Sequence, residues 1–376
     1  MKIAFIDVTV TSSYGGIQTA IWSLSKVLYD MGHEITIIGG HGNIRPDLGG
    51  REITVQTFDY TSREKALDFG NRFRRFWERW TFARNARSAV IQAGFDWVIV
   101  TKPYDFFWPS IMPSNSKTKF AFRSGGTSFI LGDRYFAKRI SAFFANSYFN
   151  AWQIKERFGV FPKVIYNGVD LVRFGPHKRS LNIREKLGLG DDALLCIYAG
   201  RLVGWKGISH TIKALNNPLI QSKPIHLVII GSGPEEEKLK KLTQQENLAG
   251  KVTFMPSMPH DDLPCWWASA DIGVFASISD EGFSNSIAEA LASGLPVIAT
   301  AFSGNPETVG NENTCGLLIP PEDTAAIAQA INQLFTDPKT REAMGIAARK
   351  RIEDNFTWEK VASRLVDGLK KISNTA

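Results

Sequence analysis

The sequence has few cysteines and no long apolar segment. The three cysteines in 376 residues, Cys196, Cys265 and Cys315, are far apart and odd in number. This spacing excludes a disulfide-stapled fold and a zinc cluster. No apolar run approaches the roughly 18 residues that a membrane-spanning helix needs. Asp7 interrupts the N-terminal apolar stretch, whereas the core of a secretory signal is a continuous apolar run. We therefore expect a cytoplasmic protein.

The composition is otherwise that of an ordinary globular chain. Hydrophobic residues make up 44% and charged residues 22%, which excludes collagen-like, disordered and coiled-coil classes. No low-complexity segment and no short repeat interrupts the sequence. At about 100–200 residues per domain, this length predicts two or three domains.

The positive charge is confined to the first half. The net charge is +7 and the pI about 9.2. Residues 1–170 contain 22 Lys and Arg against 14 Asp and Glu, an excess of +8, whereas the remainder contains 22 against 23. Nucleic acid, an anionic membrane, a phosphorylated substrate or simply a solvated basic face could each account for this excess.

Strand and helix patterns alternate in the first half. A helix is predicted after Gly15-Gly16, with Ile17, Ile21 and Leu24 on one face and a stop at Gly32. Such alternation predicts a parallel sheet covered on both faces. The predicted strands are Lys2–Val8, Glu34–Ile38, Trp97–Val100, Lys119–Phe122 and Lys163–Tyr166.

The second half repeats this pattern, so we predict an α/β fold with two doubly wound domains joined near residues 167–176. The predicted strands are Leu194–Ala199, His226–Ile230, Val252–Met255, Ile272–Ala276 and Pro296–Thr300. The predicted helices are Ser284–Ser293, Thr324–Phe335 and Lys339–Phe356, with a further helix beginning after Pro234.

The segment from Ser279 to Ile298 carries the strongest chemical signal. It follows a strand and enters a helix, so the backbone N–H groups and hydroxyls of residues 284–286 can form an anion site suited to a diphosphate. Glu281 precedes that helix and Glu289 lies within it. Carboxylates accept hydrogen bonds from vicinal hydroxyls, so the pair suits a sugar on one side and a ribose on the other. The alternative is that both are ordinary surface glutamates at a helix N-terminus.

This segment resembles the signature of the retaining glycosyltransferases of sequence family four, in which seven residues separate two glutamates. The resemblance extends over nearly the whole chain. It is carried by Gly15-Gly16 after the first strand, Asn167-Gly168-Val169-Asp170 with Phe174 and Pro176, Tyr198-Ala199-Gly200-Arg201, and Lys206-Gly207. It implies two Rossmann-like domains facing across a cleft: an acceptor domain (residues 1–170), a nucleotide-sugar domain (residues 171–355) and a last helix (residues 356–376) that returns to the first.

The resemblance also implies roles for individual residues. Arg201 and Lys206 would neutralise the leaving diphosphate, Glu281 would bind the donor sugar and Glu289 the ribose. The main chain at Met255-Pro256 would hold the base. The remaining implied donor contacts are Gly15, Gly16, Phe283, Ser284, Asn285, Ser286 and Ile287. Since the sequence has neither D-x-D nor H-E-x-x-H, we expect no metal and no other cofactor.

One departure concerns the histidine that family members commonly carry near the donor sugar. This chain has no histidine between His41 and His177, and Arg123, Ser124 and Gly125 stand in its place. Retaining transfer does not require that histidine, because the leaving phosphate oxygen can itself take the acceptor proton.

The segment from Arg63 to Arg87 combines eight basic residues with six aromatic ones. A basic aromatic helix suits an anionic membrane surface, and the alternative is that its aromatic rings pack in the core. No nucleic-acid recognition motif accompanies the charge, so we expect no nucleic-acid partner.

Together these features predict transfer of a hexose to a saccharide acceptor, on a lipid carrier, in polysaccharide or glycolipid biosynthesis at the inner face of the membrane. UDP-glucose is the leading donor and GDP-mannose the alternative. Two further alternatives are a nucleotide-sugar-binding protein without transfer activity and an epimerase-like enzyme on the same fold.

Overall fold

The computed structural model describes residues 1–13, 15–126, 129–130, 132–310 and 313–374. The chain divides into two compact units. Unit 1 comprises Met1–Asn167 together with Trp358–Ala376, and unit 2 comprises Gly168–Thr357. The chain therefore leaves unit 1 after Asn167 and re-enters it at the last helix.

Unit 1 contains a parallel seven-stranded sheet with the order β3-β2-β1-β4-β5-β6-β7. Its strands are β1 (Lys2–Ile6), β2 (Glu34–Gly40), β3 (Thr54–Phe58), β4 (Trp97–Val100), β5 (Lys119–Arg123), β6 (Ala142–Ala145) and β7 (Lys163–Val164). The helices that precede the crossover to unit 2 are α1 (Gly16–Asp30), α2 (Asn71–Ala93), α3 (Trp108–Ile111), α4 (Asp133–Ala137) and α5 (Tyr148–Phe158).

Unit 2 contains a parallel six-stranded sheet with the order β10-β9-β8-β11-β12-β13. Its strands are β8 (Leu194–Ala199), β9 (Ile225–Ile230), β10 (Val252–Met255), β11 (Ile272–Phe275), β12 (Val297–Thr300) and β13 (Gly316–Ile319). Its helices are α6 (Leu181–Lys186), α7 (Ile208–Ala214), α8 (Glu236–Gln245), α9 (Leu263–Ser269), α10 (Asn285–Ala292), α11 (Asn305–Val309), α12 (Thr324–Thr336) and α13 (Pro338–Asn355).

The last helix, α14 (Trp358–Asn374), packs in the core of unit 1. Side chains of β1 alternate between the two faces of the first sheet, as the two-residue period of a strand requires. Ile3 and Phe5 contact α1 and α14 on one face, while Ala4 and Ile6 contact α2 and α3 on the other. The sheet is therefore buried on both sides.

Each sheet has a topological switch point. β1 lies between β2 and β4, and β8 lies between β9 and β11, so the chain leaves the sheet in opposite directions from neighbouring strands there. In open α/β sheets, ligands bind at the carboxyl ends of strands beside such a point.

The predicted fold class of two doubly wound parallel sheets is confirmed. Three strands were not predicted: β3, β6 and β13. β3 is an edge strand whose five residues are only partly buried or exposed, so it gives no continuous apolar run. β6 and β13 are short apolar strands that the sequence patterns did not identify.

Candidate active site

A tight turn at the carboxyl end of β8 positions Lys206. Residues 204–206 form one 3₁₀ turn, and Gly207 follows with φ +65°, in the left-handed region. A Cβ at Gly207 would overlap the carbonyl oxygen of Ala276, just beyond β11. Ile278 N also donates to the carbonyl oxygen of Trp205, at 2.8 Å. This close approach needs glycine and brings Lys206 next to the loop that carries Glu281.

Lys206 and Glu281 form a half-buried ion pair, with side chains 17% and 12% exposed. The Ser277 hydroxyl donates to the second carboxylate oxygen at 2.7 Å. The Lys206 ammonium also lies 4.6 Å from the ring centre of Trp205. Lys206, which the sequence assigned to the leaving diphosphate, is thus paired in this structure with Glu281, which the sequence assigned to the sugar.

The loop after β12 supports Glu281, which sequence reasoning did not predict. Ser303 has φ +60°, and its hydroxyl oxygen accepts from Glu281 N at 2.8 Å. A Cβ at Gly304 would overlap the carbonyl oxygen of Gly282. The two loops therefore fix one another, and the only sequence signal was the serine–glycine pair beyond a strand.

The helix α10 begins at Asn285, directly after this loop. Ser284 is the N-cap, and Ser286 and Ile287 lie in the first turn, where backbone N–H groups have no partner within the helix. The Phe283 ring packs against Phe356, 5.4 Å between centroids. The helix therefore begins where the sequence predicted, and binding of an anion at its first turn stays a prediction.

Glu289 lies on the second turn of α10 and is buried. Its carboxylate is 2.8 Å from Nε2 of His260, in the loop between β10 and α9. Sequence reasoning missed His260, because 29 residues separate the two side chains along the chain.

The predicted base segment and Arg201 lie at the same sheet edge, at the carboxyl ends of β10 and β8, with β9 between them. Gly231 N, after β9, donates to the carbonyl oxygen of Met255 at 3.1 Å. Pro256 follows β10 and is exposed, and Arg201 follows β8 and is exposed. The Tyr198 hydroxyl donates to the carbonyl oxygen of Arg201 at 3.0 Å. Burial raises the pKa of Tyr198, so it holds this backbone as a neutral donor.

The remaining predicted donor contacts lie in unit 1. Gly15 is the N-cap of α1 and Gly16 its first residue. Gly125 N donates to the carbonyl oxygen of Thr101 at 3.3 Å, and a Cβ at Gly125 would overlap the side chain of Ile17. The first turn of α1 and the loop after β5 are therefore neighbours, and the donor roles predicted for these glycines stay predictions.

Arg123 has a structural contact that the sequence did not predict. Its guanidinium is buried and donates to Oδ1 of Asn167 at 2.7 Å and to the carbonyl oxygen of Tyr166 at 3.3 Å. Burial lowers its pKa to about 10. Ser124 is also buried, and its hydroxyl bonds to the backbone of Gly126. Contact of these side chains with a sugar stays a prediction.

A buried charge cluster was also missed. Asp7 follows β1 and contacts Lys102 at 3.1 Å, beyond β4, while Arg79 of α2 pairs with Asp105. The side chains of Arg79 and Asp105 are each 2% exposed. Burial by itself would raise the pKa of Asp7, but Lys102, Arg79 and the hydrogen bonds from Thr9 outweigh it and lower that pKa.

Two of the basic and aromatic residues of the Arg63–Arg87 segment contradict the expectation that it faces a membrane. Arg79 is buried in its ion pair, and Phe82 is buried in the core of unit 1, because this face of α2 covers the sheet. The rest of the segment includes an exposed basic-aromatic face, made of Leu67, Phe69, Arg72, Arg75 and Trp77.

Within the described residues, no group of three or more His, Cys, Asp or Glu side chains is arranged to hold a metal ion. In that same part of the chain, no helix combines the length and apolar character needed to cross a membrane.

Comparison with known sequences places both units in one family. The model of the family "Glycosyl transferases group 1" matches residues 180–351, and that of "Glycosyltransferase Family 4" matches residues 14–173. A GDP-mannose-dependent α-(1-6)-phosphatidylinositol monomannoside mannosyltransferase of Mycolicibacterium smegmatis is 34% identical over 207 residues, 53% of this chain and 54% of that protein. The chain thus spans about half the length of the curated relatives it matches.

Solved structures share the fold over its full length. A sucrose-phosphate synthase from Thermosynechococcus elongatus has a TM-score of 0.83 at 20% identity, covering 100% of both chains. Anabaena Alr3699/HepE, in complex with UDP and glucose, has a TM-score of 0.79 at 21% identity, covering 98% of this chain and 99% of that one. With the two family models matched in tandem along the sequence, this chain belongs to the group 1 glycosyltransferases.

Proposed function

We propose that this protein transfers a hexose, with retention of the anomeric configuration, from a nucleoside diphosphate sugar to a saccharide acceptor. The observation that carries the proposal is the set of side chains at the carboxyl edge of the second sheet. Arg201 and the Lys206–Glu281 pair follow β8 and β11, and Glu289 lies on the helix whose first turn can bind phosphate.

The Lys206–Glu281 pair suits an exchange of partners. A diphosphate carries more negative charge than one carboxylate, so it competes for the ammonium and frees Glu281 to accept hydrogen bonds from sugar hydroxyls. Arg201, already exposed, adds a second cation as negative charge builds on the leaving group. These two cations supply the charge stabilisation, and we propose that the reaction needs no metal.

Retention follows from the same arrangement. A double displacement needs a carboxylate nucleophile beside the anomeric carbon. We assign Glu281 to sugar hydroxyls, since Ser277 holds one carboxylate oxygen and the diphosphate would free the other from Lys206. The leaving phosphate oxygen then takes the proton of the incoming acceptor hydroxyl on the same face of the sugar.

There are two candidate donors for this site. The sequence favoured UDP-glucose, with GDP-mannose as the alternative. The relative at 34% identity is named as a GDP-mannose-dependent enzyme, and this observation now favours GDP-mannose. The same name includes a phosphatidylinositol mannoside, which agrees with a lipid-linked acceptor for this chain.

The donor experiment is a comparison of UDP-glucose with GDP-mannose, each incubated with and without glycolipid acceptors, in EDTA. We expect one donor to be consumed faster with acceptor, and NMR of the product to show the anomeric configuration of the donor. Binding without consumption would favour the binding-protein alternative. An inverted product, or activity lost in EDTA and restored by Mg²⁺, would contradict the mechanism.

We also propose that the exposed basic-aromatic face binds an anionic membrane, and so brings the enzyme to a lipid-linked acceptor. Phe69 stacks edge-on against Phe73 at 5.2 Å, and Phe73 stacks on Trp77 at 5.9 Å, so three rings form a ladder at the start of α2, the helix that also carries the exposed Arg72 and Arg75. Each cation near an anionic surface contributes about 1 kcal/mol.

The membrane test is cosedimentation with phosphatidylserine vesicles. Changing Arg72 and Arg75 to Ser should lower the partition coefficient about thirtyfold, since two cations contribute about 2 kcal/mol. The charge-matched control changes Lys241 and Lys350, two exposed lysines of unit 2, to Ser. Equal partitioning of the two variants would contradict the assignment.

A further inference from the structure

We propose that His260 is a positioning residue that holds the Glu289 carboxylate in place for the nucleotide ribose. This inference rests on the proposed function, which assigns Glu289 to the ribose. It concerns a residue that none of the sequence motifs includes.

The hydrogen bond between the two side chains has a defined direction. Nε2 of His260 lies 2.8 Å from Oε1 of Glu289. An ionised carboxylate can only accept, so Nε2 carries the proton. A carboxylate has about four acceptor positions, and one bond from His260 leaves capacity for the two hydroxyls of a ribose.

An aromatic ring packs against the imidazole, and an ion pair joins the next residue of the loop to the segment that carries this ring. The Phe174 ring lies 5.3 Å from the imidazole centroid. The next residue, Asp261, pairs with Arg173 at 2.7 Å, and the Arg173 guanidinium lies 5.6 Å from the Phe174 ring centre. Two successive residues of the loop are therefore fixed to two successive residues of the crossover segment.

This arrangement restricts a flexible side chain. Glu289 sits on a buried helix, but a glutamate has three side-chain torsions, and a donor on one oxygen selects one arrangement before the nucleotide arrives. The side-chain entropy of Glu289 is then lost during folding and does not weaken nucleotide binding. The same loop begins with the proposed base segment at Pro256, so base and ribose contacts share one support.

The predicted effect falls on affinity and not on turnover. A ribose contact is the same in the ground state and the transition state, so losing its support raises KM for the donor and leaves kcat nearly unchanged. Loss of one hydrogen bond to a charged group should weaken nucleotide binding roughly tenfold.

The test is calorimetric titration with UDP and GDP, and with their 2′-deoxy analogues. His260→Phe keeps a ring against Phe174 but removes the donor, and His260→Gln restores an N–H donor. His41→Phe is the matched control, because His41 pairs with Asp59 at 3.4 Å in unit 1. We expect His260→Phe to weaken binding of the preferred ribonucleotide about tenfold, to change binding of its deoxy analogue much less, and to leave kcat nearly unchanged.

His260→Gln should recover most of the affinity, and His41→Phe should match the wild type. Unchanged ribonucleotide affinity in His260→Phe would overturn the inference. Equal weakening of ribo- and deoxynucleotide would overturn it too, because that result indicates general disturbance of the loop. Failure of the wild type to bind either UDP or GDP would overturn the proposed function itself, and the inference with it.

Discussion

The first strand of each sheet leads to a charged residue, and the two charges lie in different surroundings. Asp7, directly after β1, is fully buried and paired with Lys102. Arg201, two residues after β8, is exposed. The strand order beside the two residues is the same, so topology alone does not decide whether a charge at a switch point is available to a ligand.

The ion pairs of the two units differ in the same way. The side chains of Arg79 and Asp105 in unit 1 are each 2% exposed, whereas those of Lys206 and Glu281 in unit 2 are 17% and 12% exposed. A buried pair is costly to break, because the remaining charge has no water to solvate it. A partly exposed pair can exchange a carboxylate for a phosphate, so we interpret the first pair as structural and the second as part of the donor site.

The largest expected effect is on the stability of unit 1. Arg79→Leu should lower the free energy of unfolding by about 3–5 kcal/mol, because it leaves Asp105 buried without its cation. Urea denaturation followed by circular dichroism measures this. Arg75→Leu, at an exposed position one turn earlier on the same helix, is the control and should change stability by less than about 0.5 kcal/mol. Equal effects of the two substitutions would contradict the structural role assigned to the Arg79–Asp105 pair.

Next in size is the effect of the unit 2 cations on rate. Arg201→Ala and Lys206→Ala should each reduce kcat about a hundredfold, equivalent to about 3 kcal/mol of transition-state stabilisation. Their unfolding midpoints should stay near that of the wild type. Lys213→Ala, an exposed lysine on α7, serves as the control with normal turnover. Near wild-type turnover in both site variants would contradict the assigned diphosphate contacts.

The two glutamates should then differ from each other. Glu281→Ala should lower kcat more than nucleotide affinity, since sugar contacts matter most as charge develops on the ring. Glu289→Ala should weaken nucleotide binding more than it lowers kcat. Steady-state kinetics combined with calorimetry separates the two effects. Equal loss of nucleotide affinity in both variants would contradict this division of roles.

A smaller effect concerns pH. Burial raises the pKa of Asp105 to about 6, with Asp7 adding to the rise and Arg79 opposing it. The unfolded chain loses this proton near pH 3.8 and the folded chain near 6, so stability should fall as pH rises through that window. Relative to Asp105→Asn, the urea midpoint of the wild type should therefore decline between pH 4 and pH 6.5. A rise would contradict the burial of this carboxyl group.

Sequence patterns predicted those features that are local in the chain. Continuous apolar runs identified strands such as β8 and β9, and the pattern of residues 279–298 identified the helix α10. The features that were missed depend on distant partners: 26 residues separate Arg79 from Asp105, and 29 separate His260 from Glu289. A basic residue that points into a sheet gives the same sequence signal as one that points into solvent. The basic-aromatic prediction is therefore wrong at Arg79, which is buried, and stays a prediction at Arg72, which is exposed.

The central claim is that unit 2 binds a nucleoside diphosphate through Arg201 and Lys206. The most direct test is calorimetric titration of GDP and UDP into the full-length wild type and into Arg201→Ala, Lys206→Ala and Lys213→Ala. We expect one nucleotide to bind the wild type and the Lys213→Ala control equally, and to bind each site variant at least tenfold more weakly. Equal affinity in all four proteins, or binding of neither nucleotide to the wild type, would contradict it.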